Sequence, residues 1–175
     1  MPQPSMALAE IDLAQPRWLV CHTRPRCEKK FAALLTAAEL PHYLPLVTNV
    51  HRYVSSTRKF TKPVFAGYVF AQVAPLYQPR IYQQDLLAQA IEIEDEAHFL
   101  HQIEQVRAIV ASGYALSVRP LLKCGRRVKI SAGSLRGLEG DVDDPTNPQG
   151  IVLAVDVLQQ GLLVKVPSAN LQILP

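Results

Sequence analysis

Residues 62–73 read Lys62-Pro-Val-Phe-Ala-Gly-Tyr-Val-Phe-Ala-Gln-Val73. They decide the fold class, because β-branched and aromatic residues dominate a run short enough for a strand. The pattern predicts a strand across the run, with Gly67 marking a bulge or a close approach by another surface. Upstream, His42-Tyr-Leu-Pro-Leu-Val-Thr-Asn-Val-His-Arg-Tyr53 alternates loosely in the same residue types, and Pro45 demotes its first part to an edge position. Residues 55–59 read as the hairpin tip between the two runs. Earlier still, Arg17-Trp-Leu-Val-Cys-His22 is a third strand-forming run. It leads into Thr23-Arg-Pro25, where a hydroxyl cap and an early proline suit a helix start. Phe31, Leu34, Leu35 and Ala38 then recur at helical spacing, predicting an amphipathic helix of about three turns that Leu40-Pro41 ends.

Downstream, residues 75–85 stay ambiguous, 87–93 read as another strand, and 97–110 predict a second helix with Phe99, Ile103, Val106 and Val110 on one face. This order predicts an α+β domain in which helices flank an N-terminal antiparallel sheet. Residues 113–122 have little periodicity and read as a linker. Beyond them the character changes: five glycines fall between Gly125 and Gly150, and no helical stripe appears. Short apolar runs at 126–130, 137–143, 150–156, 161–166 and 171–174 have the spacing of a small closed β-barrel. Gly133, Gly137 and Gly140 are expected to serve turns of positive φ. The organisation expected is a loose tail over 1–16, a first domain over 17–112, a linker over 113–122 and a barrel over 123–175.

At 175 residues, 49% hydrophobic and 19% charged, the chain can bury one moderate core or two small ones and is too apolar to be wholly disordered. Its charge is unevenly spread. From Arg17 to Lys62 nine Lys/Arg face only Glu28 and Glu39, whereas from Asp85 to Glu104 six acids occur with no Lys or Arg. One side suits a polyanion and the other repels it. Three cysteines without a CxxC pair argue against a disulfide framework or a zinc ribbon and fit a reducing compartment. The first 16 residues lack the basic start and apolar run of a signal peptide, and no stretch approaches the roughly 18 apolar residues of a spanning helix. A cytoplasmic location follows as the expectation.

Taken in order, Trp18-Leu-Val-Cys-His-Thr-Arg-Pro-Arg-Cys-Glu-Lys-Lys30, Tyr43-Leu-Pro-Leu46 and Lys62-Pro-Val-Phe-Ala-Gly-Tyr-Val-Phe70 resemble the signature segments of the N-terminal domain of the NusG family. Arg126-Arg-Val-Lys-Ile-Ser-Ala-Gly-Ser-Leu-Arg-Gly-Leu-Glu-Gly-Asp-Val142 resembles the KOW motif that follows it. The resemblance spans 17–175. Ala66 in place of the usual proline, Ile91-Glu-Ile-Glu94 and the Val155-Asp-Val-Leu-Gln-Gln160 hairpin are departures from the housekeeping member, and they look more like the specialised paralogues.

The resemblance implies a transcription elongation factor, NGN-like over its first domain and with an SH3-like KOW barrel after it. It implies binding across the DNA cleft of RNA polymerase, on the tip of the largest-subunit clamp coiled coil, with suppression of pausing or termination. Phe65 and Tyr68 match the family's docking pocket, with His22 at a neighbouring strand position and Gly67 allowing close approach. Arg24, Arg26, Arg52, Arg58 and Lys59 are the candidates for contact with DNA of the transcription bubble, through sequence-tolerant phosphate contacts. Val157, Leu158 and Gln160 align with the barrel's partner-binding hairpin. There the partner implied is a small-subunit ribosomal protein or Rho, and Gln160 stands where an arginine is usual. No cofactor, metal or membrane is implied, and the chain is expected to be a monomer.

Rival readings fare worse. Cys21 and His22 are strand neighbours that point to opposite faces, so they cannot act as a pair. His98 and His101 can share a helix face, yet no third metal ligand is evident. With no nucleophile, phosphate-loop or paired-carboxylate motif, the chain is not expected to be an enzyme. A KOW-type RNA-binding or ribosome-associated protein is the alternative. The β-branched residues Val128, Ile130, Val142, Ile151, Val152, Val155, Val157, Val164 and Val166 favour a barrel over a helical hairpin in the last third. Circular dichroism of the segment from Leu121 onward should therefore show mainly strand, and a helical spectrum would overturn that expectation.

Overall fold

The computed structural model describes residues 12–120, 125–142 and 150–175. Most of the expected tail, residues 121 and 122 of the expected linker, Cys124 and Asp143 lie outside them. The elements run β1 (Arg17–Thr23), α1 (Glu28–Ala37), β2 (His42–Tyr43), β3 (Leu46–Arg52), β4 (Thr57–Pro63), β5 (Tyr68–Val73), α2 (Gln78–Ile81), β6 (Leu87–Glu92) and α3 (Glu96–Ser112). The second half follows as β7 (Leu116–Pro120), β8 (Arg127–Ile130), β9 (Glu139–Val142), β10 (Gly150–Val155), β11 (Gln160–Lys165) and β12 (Leu171–Ile173). The mixed α+β architecture expected is present: an antiparallel sheet of order β2-β5-β1-β6 flanked by helices, then a β-rich region of order β12-β8-β9-β10-β11-β7. β3 and β4 form a separate two-stranded ribbon.

Period-two alternation in β1 and β5 divides the first sheet's side chains between two helices. Leu19, Cys21, Val69 and Ala71 pack with Phe31 and Leu35 of α1. On the other face Val20 lies opposite Phe70, and the Phe99 ring of α3 stands 5.4 Å from Phe70 and 6.0 Å from Trp18. α3 is well delimited. The Asp95 side chain accepts from the His98 amide at 3.0 Å, and Gly113 ends the helix at φ +73°. Its buried residues Phe99, Ile103, Val106 and Ile109 belong to one apolar cluster with Val128, Ile151, Leu153 and Leu162 of the second sheet. One core therefore runs through both halves.

Several local expectations are corrected. The 62–73 run is not one strand. It breaks between β4 and β5 at residues 64–67, where the Tyr68 amide bonds the Phe65 carbonyl and Gly67 takes φ +83°. α1 begins at Glu28, later than Thr23-Arg-Pro25 suggests, because Arg26 takes φ +61° and the chain turns there before entering the helix. Thr23 is 2% exposed, and its hydroxyl caps nothing among the described residues. Within the stretch expected to be a linker, Leu116–Pro120 is β7 and pairs with β11, Leu162 opposite Val118.

Gly133 and Gly137 take φ +88° and +94° as expected of turns, but Gly140 does not. It lies inside β9, where a Cβ would stand 2.7 Å from the Val152 carbonyl oxygen. Close strand packing, not a turn, requires glycine there. Gly140→Ala should therefore cost about 1–3 kcal/mol in urea unfolding, the usual cost of an extra carbon in a packed interior.

Candidate functional site

Beyond the Phe99 contact, the α3-facing side of the first sheet continues to His22 and Tyr68, which are cross-strand partners. Their rings stack at 4.9 Å with an interplanar angle of 17°. His22 is exposed and Tyr68 half-buried, so the pair forms a ledge whose faces are partly open. Gly67 sits beside it. Its amide donates to Glu28 Oε1 at 2.7 Å and its carbonyl accepts from the Thr23 amide at 2.8 Å, which joins the turn to α1 and β1. A Cβ at Gly67 would meet the His22 ring at 3.5 Å, an ordinary contact, so positive φ rather than lack of room calls for glycine.

Phe65 differs from its neighbours. Its side chain is 1% exposed and meets Phe70 edge-on at 6.3 Å, so it supports the ledge from within the core. Removing it should cost about 3–5 kcal/mol of stability. Of the residues matched to the docking pocket, only His22 and Tyr68 present a side chain outward.

The basic candidates fall into two groups. Arg24 and Arg26 lie in the β1–α1 turn, where Arg24 Nη2 pairs with Asp85 Oδ1 at 2.7 Å. Both partners are well exposed, so the pair is worth about 0–1 kcal/mol and is easily exchanged for another anion. Arg52, Arg58 and Lys59 lie on the β3–β4 ribbon, exposed to solvent. Lys29, which sequence reasoning had not selected, ties α1 to the ribbon's base by donating to the Thr61 carbonyl and, at 2.8 Å, to Thr61 Oγ1.

The third group is turned inward. A short 3-10 turn, Asp156–Leu158, joins β10 to β11. Leu158 is 8% exposed, and Val157 lines a shallow cleft of about 340 Å³ with His98, Phe99 and Gln102. Asp156 anchors this turn to α3: its Oδ2 accepts from Gln102 Nε2 at 2.9 Å and meets His98 Nε2 at 2.8 Å, while its amide donates to Gln102 Oε1. Gln160 Oε1 is buried with no hydrogen-bond partner among the described residues. Sequence reasoning missed the Asp156–Gln102 pair, since neither residue carries a motif and 54 positions separate them.

His98 is engaged by Asp156, and His101 is exposed on the same helix. Cys21 is fully buried between β5 and β6, and burial pushes its thiol up to about 12 by disfavouring the thiolate.

A family model described as "Transcription termination factor nusG" matches residues 16–121. No curated protein matches the chain. Among solved structures, one described as "Domain interaction in Thermotoga maritima NusG" is 12% identical, at TM-score 0.47, over 93% of this chain and 99% of its own. Another, described as "Crystal Structure of MjSpt4:Spt5 complex conformation B", is 15% identical, at TM-score 0.31, over 90% of this chain and 96% of its own.

Burial of Cys21 disfavours its thiolate, so the thiol stays protonated and unreactive well above neutral pH. Thiol reagents at pH 8 should modify half-exposed Cys27 in the native protein and reach Cys21 only after unfolding, as peptide mapping would record.

Proposed function

The chain belongs to the NusG family of transcription factors, and from that premise we propose that it binds RNA polymerase across the DNA cleft through the His22–Tyr68 ledge. The exposed stack at the end of the first sheet is the observation that carries this reading. Aromatic rings with open faces bring much contact area at little entropic cost, which suits a docking point made from few residues. Gly67 and the buried Phe65 hold the ledge in place. The surface offered is therefore narrower than the matched segment suggests.

The polymerase contact would be made to the clamp coiled coil of the largest subunit, with the basic ribbon toward DNA of the transcription bubble. A factor that binds the closed clamp better than the open one shifts their populations by that difference in affinity, disfavouring pausing or termination without chemistry. The second half, KOW-like in sequence, would recruit a partner through Val157, Leu158 and Gln160, a small-subunit ribosomal protein or Rho being the kinds the family suggests. Because Leu158 is buried and Asp156 is held by α3, that recruitment would require the turn to leave α3.

The exposed pair separates docking from folding better than Phe65 does. In the full chain, His22→Ala with Tyr68→Ala should weaken binding to purified polymerase at least tenfold, about 1.4 kcal/mol. Phe65→Ala should instead lower the unfolding midpoint strongly. Polymerase binding by the His22/Tyr68 double variant equal to that of the original protein would place the docking surface elsewhere. Retention of ribosomal RNA through high salt, without polymerase, would favour the RNA-binding alternative.

A further inference from the structure

The β3–β4 ribbon carries a pattern that its own packing does not require. Its register sets Val47 opposite Lys62, Asn49 opposite Phe60 and His51 opposite Arg58. Paired residues of antiparallel strands share a face, so these six side chains lie on one side of the ribbon. Tyr53 extends that side beyond His51. The His51 ring stands 5.4 Å from Phe60, edge-on, and 6.5 Å from Tyr53, stacked. Phe60 is 43% and Tyr53 58% exposed. The result is an aromatic stripe, open to solvent and flanked by Arg58 and Lys62.

Two further observations narrow what covers it. No Asp or Glu occurs between residues 46 and 63, so nothing within the ribbon offsets its cations. The Lys29 anchor reaches Thr61, which belongs to the opposite face together with Thr48, and this leaves the aromatic side open. At the ribbon's base, residues of both faces, Val47, Asn49 and Lys62 together with Leu46, Thr48 and Pro63, line a cleft of about 880 Å³ shared with residues 113–118.

An acidic protein surface would satisfy the cations and leave the rings uncovered. A duplex would do the same, since its bases are already stacked on one another. Unpaired nucleotides satisfy both at once, offering a π-face to each ring and a phosphate to each cation.

We propose that this face of the β3–β4 ribbon is a stacking platform for single-stranded DNA. Bases lie on Tyr53, His51 and Phe60, and Arg58 and Lys62 hold phosphates. This rests on the reading that the chain works at a transcription bubble, and it adds which face is used and that stacking accompanies charge. Arg52 and Lys59 lie on the other face and contribute through the general field alone.

The test is fluorescence anisotropy of a labelled oligothymidylate with the full chain. The original protein should bind it, and His51→Ala with Phe60→Ala should weaken binding at least tenfold while the unfolding midpoint stays unchanged. Arg52→Gln with Lys59→Gln should weaken it only a few-fold. Equal affinity of the aromatic double variant and the original protein would overturn the platform. So would tighter binding of the matching duplex, of oligouridylate or of an acidic peptide. Polymerase binding by the same variants reads the other proposal separately. A chain that binds polymerase but no oligothymidylate overturns the platform alone, and one that binds oligothymidylate but no polymerase supports it while the docking proposal fails.

Discussion

The two sheets meet on α3, a helix that must satisfy both at once. Phe99 meets Phe70 and Trp18 of the first sheet, while Gln102, one turn further along, meets Asp156 of the second. A helix covering a single sheet buries one stripe and solvates the rest. Here the buried set widens to include Gln102 and Ile109, and the polar member is tolerated because Asp156 satisfies it in both directions. The two halves therefore share stability, and loosening α3 loosens both.

That arrangement governs which functional groups are presented. α3 covers Val20 and Phe70 but leaves His22 and Tyr68, the next residues on the same face, as the ledge. It also draws the Asp156–Leu158 turn onto its surface, so the residues matched to partner binding are held against the first half. The charge split follows the same division, with Glu92, Glu94, Asp95 and Glu96 gathered at the connection from β6 to α3 and cations on the ribbon.

Much of this was legible in sequence wherever a short-range signal exists. Phe31 and Leu35 mark the buried face of α1, and Phe99, Ile103 and Val106 that of α3, because helical periodicity is a local property. The breaks were not legible. Hydrophobic patterning carries no information about φ, so the turn at residues 64–67 looks like continuous strand, and Arg26 at φ +61° hides the true start of α1. Strand β7 does alternate, Leu116-Ser117-Val118-Arg119, but four residues are too short a signal to tell a strand from a linker, and it is the pairing with β11 that makes it one. At the candidate site, the relevance of His22 and Tyr68 came through family resemblance, whereas the burial of Phe65 and the pairing of Arg24 with Asp85, 61 residues away, depend on the folded chain. The aromatic stripe escaped notice for a related reason: His51 and Phe60 become neighbours only through the ribbon's register.

β7 also sets how far the two halves can separate. It begins three residues after α3 ends, and it is already knitted to β11. If the second half left α3 with its sheet intact, only residues 113–115 would act as a leash, spanning roughly 10 Å at full extension. The start of β7 would stay within about one helix diameter of the end of α3, so the second half would pivot beside the first at a high effective local concentration. The short leash makes this a close coupler rather than a long-range tether.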